Sequence, residues 1–239
     1  MSSIEHESDI AVAEKIEIKE PSQYDVIVHL AAISGIGDCK NDINGSIRDN
    51  VIAPLNLFRL AREQEIPVIF SSSQAAKTPE ANLYAMQKKI AEVEAKRLNE
   101  IGADIKVLRF TNVYGGINFL KNKTTVVKQF IEAVKKGEEF VVNGNGEQIR
   151  DFIHVDDVCR AIYKCLEYDG QIINPIDIGT GIGTSVFELA KMTKGKFTFD
   201  EYSTEIGTMK NVADTKGMKI FFKFEAEKKI EDYIKEQIK

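Results

Sequence analysis

Short apolar runs alternate with longer amphipathic segments in the first half of the chain, and this alternation constrains the fold more than any other feature. The apolar runs are Tyr24–Ala32, Pro67–Phe70 and Ile105–Phe110, and the segments between them, residues 46–64 and Tyr84–Glu100, have apolar side chains at helical spacing. Continuous apolar runs are typical of parallel strands that are buried on both faces. Strands that alternate with helices predict a parallel sheet covered by helices. We therefore predict an α/β fold with a doubly wound parallel sheet.

The predicted elements become shorter after about residue 117. We predict helices over 124–136, 155–167, 185–192 and 224–239, and strands over 139–142, 150–154 and 173–178. The sequence thus divides into residues 1–116, which hold the main sheet, and residues 117–239, a smaller α/β region with segments interleaved with the sheet.

Composition excludes several classes of protein. The 239 residues are 43% apolar and 29% charged, which is ordinary for a globular protein, and a net charge of −5 argues against nucleic-acid or membrane-surface binding. Cys39, Cys159 and Cys165 lack CxxC spacing, and three histidines are too few for a zinc motif, so we expect reduced thiols and no metal. With no apolar run of about 18 residues and no signal-peptide pattern, we expect a cytoplasmic protein.

Tyr84 and Lys88 begin a predicted helix soon after the hydroxyl-rich strand end Ser71–Ser73. Side chains four residues apart share one helix face. A nearby ammonium favours the phenolate form, so we expect Lys88 to lower the pKa of Tyr84 and make it a general base. Ser73 would then hydrogen-bond the substrate hydroxyl. The spacing also arises by chance, which leaves open an exposed Lys beside a half-buried Tyr.

The segment Gly179–Gly183 lies between a strand and a helix but lacks the third glycine of a dinucleotide fingerprint. We interpret it as a structural turn. Since such a fold begins with a strand and a Gly-rich turn, the first clear strand, Tyr24–Leu30, corresponds to its fourth strand. The sequence therefore indicates an N-terminally truncated sheet, whose first strand would be an open apolar edge.

These motifs together resemble the NAD-dependent epimerase/dehydratase family of extended short-chain dehydrogenases. The resemblance covers about residues 8–220. Its motifs, in order, are Ser8–Ile10, Val28–Ala32, Asn50–Val51, Phe70–Ser73, Tyr84 with Lys88, Arg109–Gly115, Gly144–Asp157, Asp177–Gly181 with Ser185, and Val212–Thr215.

The resemblance implies a Rossmann-like NAD-binding part at 1–116 and a substrate-binding region at 117–239. It implies that Ser73, Tyr84 and Lys88 are catalytic. The cofactor-binding residues that it implies are Asp9 and Ile10 at the adenine, Leu30, Ala31 and Ala32 beside the nicotinamide ribose, and Tyr84 and Lys88. The substrate residues that it implies are Ser73, Gln74, Asn112 against the sugar nucleotide and Arg150 at the diphosphate.

For two of these residues the sequence leaves a structural interpretation open. Arg150 could instead form a salt bridge to Asp156 or Asp157, and Asn112 could simply close a turn. His154 is expected to be a packed strand residue behind the site. Asp156 and Asp157 are expected to begin a helix, where they suit its dipole.

Three departures from the family pattern bear on activity. The Gly-rich cofactor turn is absent, only ten residues separate Ser73 from Tyr84, and Ile206–Met209 replaces a basic stretch that grips the nucleotide. The leading hypothesis is a nucleotide-sugar epimerase with NAD as cofactor, although NADP stays open. The alternatives are a truncated or degenerate member without cofactor binding, or an NAD(P)H-dependent keto-sugar reductase. The family also implies a homodimer through helices of about 46–64 and 82–100.

Overall fold

The computed structural model describes residues 23–116, 125–203 and 208–239. The described residues form two compact units. The first takes the described residues as far as Arg109 together with Asp169–Pro175, and the second takes those in the ranges Phe110–Tyr168 and Ile176–Lys239. The predicted residues Asp9 and Ile10 lie outside the described residues, as do Ile206 and Gly207 of the segment that replaces the family's basic stretch.

The first unit contains a parallel sheet with helices packed against it. Its strands are β1 (Ile27–His29), β2 (Val68–Ser73) and β3 (Ile105–Phe110), and its helices are α1 (Ile36–Asn41), α2 (Ile43–Ile47), α3 (Ala53–Glu63) and α4 (Leu83–Asn99). Strands β1, β2 and β3 lie side by side in this order. Strands β1 and β2 are parallel, with Ile27 opposite Val68 and His29 opposite Phe70. The predicted parallel α/β arrangement is confirmed.

The core of the first unit lies between β2, β3 and the inner faces of α3 and α4. Small residues on α4, Ala91 and Ala95, let this helix approach the aromatic pair Phe58 and Phe70 closely. The two rings meet edge to face with centroids 5.1 Å apart, a favourable geometry for aromatic packing. This packing holds α4 against β2.

The second unit is built from short strands and amphipathic helices. Its strands are β4 (Asn112–Tyr114), β5 (Phe140–Asn143), β6 (Ile149–Arg150), β7 (Phe152–His154), β8 (Ile176–Ile178), β9 (Thr184–Ser185), β10 (Phe197–Asp200) and β11 (Lys210–Asn211). Its helices are α5 (Val126–Lys136), α6 (Val155–Leu166), α7 (Val186–Thr193), α8 (Lys216–Phe222) and α9 (Ile230–Ile238). Strands β4 and β7 pair in parallel, as do β5 and β10, while β6 pairs with β11 and, antiparallel, with β9.

An aromatic and aliphatic core holds α5, α7 and α9 together in the second unit. Phe130 stacks on Phe140 with centroids 4.2 Å apart, and Leu189 and Ile234 are buried beside them. Helix α7 begins with a capping box, in which Ser185 and Glu188 satisfy each other's backbone N–H groups. Ser185 and Glu188 are recognisable in the sequence as a capping pair, so the predicted start at residue 185 differs by one residue from the observed start at Val186.

Several predicted boundaries are wrong. The strand predicted over Tyr24–Ala32 is confined to Ile27–His29, and no helix was predicted at Ile36–Asn41, where α1 lies. The helix predicted over 46–64 is interrupted by a π-helical turn at Arg48–Ile52, and the C-terminal helix begins at Ile230 instead of residue 224. Hydrophobic periodicity alone does not reveal the extra residue that a π-helical turn inserts into a helix. It also does not show at which residue a helix or strand ends.

Candidate active site

Strand β2 ends in three hydroxyl side chains that the sheet holds in place. Ser71 and Ser72 are buried, whereas Ser73 is half-buried at the strand end. Ser73 Oγ accepts a hydrogen bond from the backbone N–H of Ala75 at 3.2 Å, which caps a 3-10 turn at Gln74–Lys77. The position of Ser73 is therefore fixed from both sides, by the strand before it and by the turn after it.

The connection to α4 is short because it is made of two 3-10 turns. The second turn, Pro79–Ala81, leads to Asn82, whose side chain caps α4 by accepting a hydrogen bond from Ala85 N at 2.9 Å. An Asn at this position satisfies a backbone N–H that the helix leaves unpaired. Tyr84 consequently lies in the first turn of α4, close after the strand that carries Ser73.

Lys88 is buried one helical turn after Tyr84. Its Nζ donates to the carbonyl oxygen of Ser71 at 2.9 Å and lies 5.0 Å from the centre of the Phe70 ring. Burial lowers the pKa of Lys88 to about 8, although negative charge at Cys39 and Glu92 acts to raise it. The side chain is therefore a buried cation that is mainly charged at neutral pH.

The expectation that Lys88 lowers the pKa of Tyr84 is wrong for this structure. Burial raises the pKa of Tyr84 to about 12, an interaction with the Ser73 side chain acts to lower it, and Cys39 acts to raise it further. Desolvation disfavours the phenolate because water no longer stabilises its charge. In the free chain the Tyr84 phenol is therefore protonated at neutral pH, and Ser73 is the side chain that favours its ionisation.

The segment after β1 lies beside the end of β2. Because β1 and β2 are parallel, their carboxyl ends share one edge of the sheet. Leu30 and Ala31 are exposed there and Ala32 is half-buried. His29, the last residue of β1, is buried, and its Nδ1 has no hydrogen-bond partner among the described residues. Burial and the nearby charge of Lys88 lower the pKa of His29 to about 4.

Asn50 connects this segment to α4 and was not assigned a role from the sequence. It lies in the π-helical turn, and its amide bonds both the N–H and the C=O of Ile33, each at 2.9 Å. It also donates to Gln87 at 2.8 Å, and Gln87 in turn donates to Ser46 at 2.8 Å. The signal available in the sequence was a polar residue on the apolar face of a predicted helix.

In the second unit, Asn112 and Arg150 both bind backbone carbonyls. Asn112 Nδ2 donates to the carbonyl oxygen of Asp151 at 3.2 Å. Arg150 Nη1 donates to the carbonyl oxygens of Ile149 at 2.9 Å and Thr208 at 2.7 Å. Burial lowers the pKa of Arg150, which nevertheless remains far above neutrality because a guanidinium does not deprotonate in proteins.

The turn Gly179–Gly183 is held by a buried carboxylate of the protein itself. Asp151 accepts hydrogen bonds from Thr180 N at 3.0 Å, Thr180 Oγ1 at 2.6 Å and Gly181 N at 2.9 Å. Gly181 has a φ of +75°, which a residue without a side chain adopts at little cost. Its backbone donors face Asp151 instead of a ligand, so the interpretation as a structural turn is confirmed.

The residues at the start of α6 have structural contacts. His154 ends β7 and accepts a hydrogen bond from Asp156 N at 3.1 Å, while its ring packs against Tyr114 and Tyr233. Asp157 is buried and pairs with Arg160. Asp156 and Asp157 both lie in the first turn of α6, as predicted.

A family model described as the NAD dependent epimerase/dehydratase family matches residues 4–179 of the chain. This match covers most of the sequence, including β1 to β3, α4 and the segment with Arg150. The chain belongs to the NAD-dependent epimerase/dehydratase family.

Relatives and solved structures agree with this assignment. A protein of Methanocaldococcus jannaschii named putative UDP-glucose 4-epimerase is 30% identical over 205 residues, which are 78% of this chain and 64% of that protein. A UDP-glucose 4-epimerase from Thermotoga maritima, solved with UDP-glucose, is 26% identical with a TM-score of 0.78, covering 90% of this chain and 76% of that chain. MoeE5, solved with UDP-glucose and NAD, is 25% identical with a TM-score of 0.78, covering 90% and 78%.

The chain therefore spans a little under two thirds of the length of the first of these relatives. The Rossmann-like α/β fold predicted from the sequence is confirmed by the structural similarity to these epimerase/dehydratase-family proteins. Among the described residues, no helix is long and apolar enough to cross a bilayer.

The first unit of this family member brings Ser73, Tyr84 and Lys88 together, whereas Asn112 and Arg150 belong to the second unit. The first unit fits one end of a dinucleotide, because ligands of such sheets bind outside the carboxyl ends of the strands. That edge here presents Leu30 and Ala31 beside the buried cation Lys88, whose ammonium has three donors, of which the bond to Ser71 uses one.

Proposed function

We propose that the chain is a nucleotide-sugar epimerase that uses NAD and takes its proton-transfer group from Tyr84. The observation that carries this proposal is the arrangement of Ser73, Tyr84 and Lys88, at the end of a parallel strand and the start of the following helix, in a chain of this family. An ionisable phenol beside a hydroxyl and a buried cation suits proton exchange with a sugar hydroxyl. NAD, when bound, would accept and return the hydride.

Each of the three residues has a separate role in this proposal. Tyr84 takes the proton from the sugar hydroxyl and later returns it. Ser73 hydrogen-bonds the same hydroxyl once substrate is bound, whereas in the free chain its hydroxyl favours ionisation of Tyr84. Lys88 holds the nicotinamide ribose, with Leu30 to Ala32 beside it. Because Tyr84 is protonated in the free chain, we infer that loading the site lowers its pKa, as a nearby positive charge does.

The substrate proposed is a nucleotide diphosphate sugar. Two similar proteins were solved with UDP-glucose, which supports a UDP-sugar. Arg150 would bind the diphosphate, since the bonds to Ile149 and Thr208 hold its planar cation in place. Asn112 would contact the nucleotide sugar, and Gln74 would contact the sugar beside Ser73. Asp9 and Ile10 remain the proposed adenine contacts.

Cofactor binding is the first test of this proposal. Calorimetric titration with NAD and NADH should show micromolar binding. Assays with UDP-glucose and UDP-N-acetylglucosamine should then show a change of configuration at a sugar carbon, without a net change of absorbance at 340 nm. Net consumption of NADH would indicate a keto-sugar reductase instead. Absence of binding at millimolar NAD would indicate a chain without a competent cofactor site. The same titration with NADP decides whether the chain prefers NAD or NADP.

A homodimer through α3 and α4 is also proposed, in a cytoplasmic enzyme. Helix α4 has an exposed apolar stripe formed by Met86, Ile90 and Val93, which share one helix face. Ile52 is exposed on the turn before α3, which packs against α4. A second copy of the chain suits this stripe, because symmetric dimers use one self-complementary patch.

A further inference from the structure

Glu92 is a buried carboxylate one helical turn beyond Lys88, and it has no role in the proposed chemistry. Tyr84, Lys88 and Glu92 follow one another at four-residue intervals on α4. The Glu92 side chain is only 2% exposed. Carboxylates are seldom buried unless they are paired, because desolvation of the charge is costly.

Three elements of the first unit meet at this carboxylate. Arg109 on β3 binds it with two parallel bonds, Nε to Oε1 at 2.7 Å and Nη2 to Oε2 at 2.6 Å. Ser72 on β2 donates its Oγ to Glu92 Oε1 at 2.6 Å, and Lys89 Nζ lies 3.7 Å from Oε2. A bidentate guanidinium bond fixes orientation as well as distance.

The Ser72 bond is directly relevant to the proposed catalytic residues. Ser72 lies between Ser71, whose carbonyl oxygen accepts from Lys88, and Ser73, whose side chain interacts with Tyr84. The end of β2 is therefore attached to α4 twice, by Lys88 at Ser71 and by Glu92 at Ser72. The second attachment is set by Arg109.

We propose that Glu92, oriented by Arg109, is a positioning residue that holds the end of β2 against α4 through Ser72 and so fixes Ser73 and Lys88 relative to Tyr84. The expected effect of Glu92 on turnover rests on the proposed function. Its effect on the position of Lys88 can be measured whether or not the chain turns over a substrate.

The variants separate positioning from stability. S72A removes one link and leaves the ion pair and all charges intact. The double variant E92M/R109M replaces a buried ion pair by apolar side chains of similar size, an exchange that buried pairs often tolerate. E94M/R97M is the matched control, because Glu94 and Arg97 also form a bidentate pair on α4, at 2.7 and 2.8 Å, but on its exposed side.

The readout that is independent of turnover is the pKa of the Lys88 amine, followed by NMR with labelled lysine and assigned with K88M. The charged or ionisable groups around Lys88 are Cys39 on α1, His29 on β1, and Tyr84 and Glu92 on its own helix, and β2 contributes the Ser71 carbonyl. A weakened bond to Ser71 disfavours the charged amine. We expect the pKa of Lys88 to fall in S72A, which keeps every charge in place, and to stay unchanged in E94M/R97M. In E92M/R109M the loss of the Glu92 charge also changes the pKa of Lys88 directly, so the comparison of S72A with the parent chain carries the test.

An unchanged pKa of Lys88 in S72A would overturn the proposal. The double variant then shows by cooperative unfolding whether the fold tolerates loss of the ion pair. Where the parent chain turns over a UDP-sugar, we expect kcat in S72A to fall by about 10- to 100-fold with little change in KM, because small misplacements cost rate more than binding. An unchanged kcat would overturn the proposal. Absence of turnover in the parent chain would count against the proposed function, and the pKa measurement would still decide the role of Glu92.

Discussion

The Lys88 ammonium donates to the carbonyl oxygen of Ser71 at 2.9 Å, two residues before Ser73. A buried cation on the helix is thus attached to the strand that ends in the proposed catalytic hydroxyl. Burial lowers the pKa of this cation, which means that the charged amine destabilises the folded state. Such a cost is typical of residues that are retained for function.

Replacing Lys88 by Met should stabilise the fold near neutral pH. The folded pKa of about 8 lies below the ordinary 10.5, so the charge destabilises the folded state below pH 8 by up to about 3 kcal/mol. Loss of the bond to Ser71 offsets part of this gain, which leaves an expected increase of about 1–3 kcal/mol at pH 7. The gain should shrink as pH rises from 8 to 10.5. Urea unfolding of K88M and of the neighbouring control K89M, at pH 7 and pH 10, measures both effects.

His29 should make the fold sensitive to mild acid. Its folded pKa of about 4 lies below the ordinary 6.5, so the folded state binds fewer protons and loses stability as pH falls from 6.5 towards 4. This contribution amounts to about 2 kcal/mol between pH 7 and pH 5. Between pH 7 and pH 5, we expect H29Q to lose about 2 kcal/mol less stability than the parent chain loses. Equal acid sensitivity of the two proteins would show that His29 is not responsible.

Gln74 and Gln87 offer a matched pair of buried amides. Gln74 is 3% exposed and both its amide atoms lack a partner among the described residues, whereas Gln87, 1% exposed, bonds Asn50 and Ser46. Unpaired buried polar atoms cost about 1–3 kcal/mol. Q74M should therefore be neutral or stabilising and should raise KM for the sugar nucleotide, while Q87M should destabilise. An unchanged KM in Q74M would exclude the proposed role of Gln74, and the reverse order of stability in thermal unfolding would show that its amide is paired.

The exposed stripe on α4 should be required for dimer formation. Val93 is 58% exposed, and a carboxylate placed there would have to be desolvated in a symmetric interface. We expect V93E to sediment as a monomer at micromolar concentration while the parent chain sediments as a dimer. I220E is the control, because Ile220 is also an exposed aliphatic residue, 70% exposed on α8, and is not part of the α4 stripe. A monomeric parent chain would contradict the proposed homodimer.

The sequence predicted the parallel α/β fold and the clustering of Ser73, Tyr84 and Lys88, because apolar runs and helical spacing report on burial and on shared faces. It did not predict the raised pKa of Tyr84, because desolvation depends on neighbours from other elements. The partners of Glu92 were also not predictable. Ser72 and Arg109 lie 20 and 17 residues away in the chain and meet Glu92 only when β2 and β3 pack against α4.

The proposed function depends most directly on Tyr84, which is proposed to exchange a proton with a sugar hydroxyl. The most direct test compares the parent chain with Y84F, supplied with NAD and UDP-glucose, by chromatographic measurement of the epimerised sugar nucleotide. Y84F lacks only the phenolic oxygen, and a half-buried ring at this position should keep the fold intact, which thermal unfolding verifies. We expect conversion by the parent chain and a rate at least about 10³-fold lower in Y84F. Comparable rates in the two proteins would contradict the assignment of Tyr84.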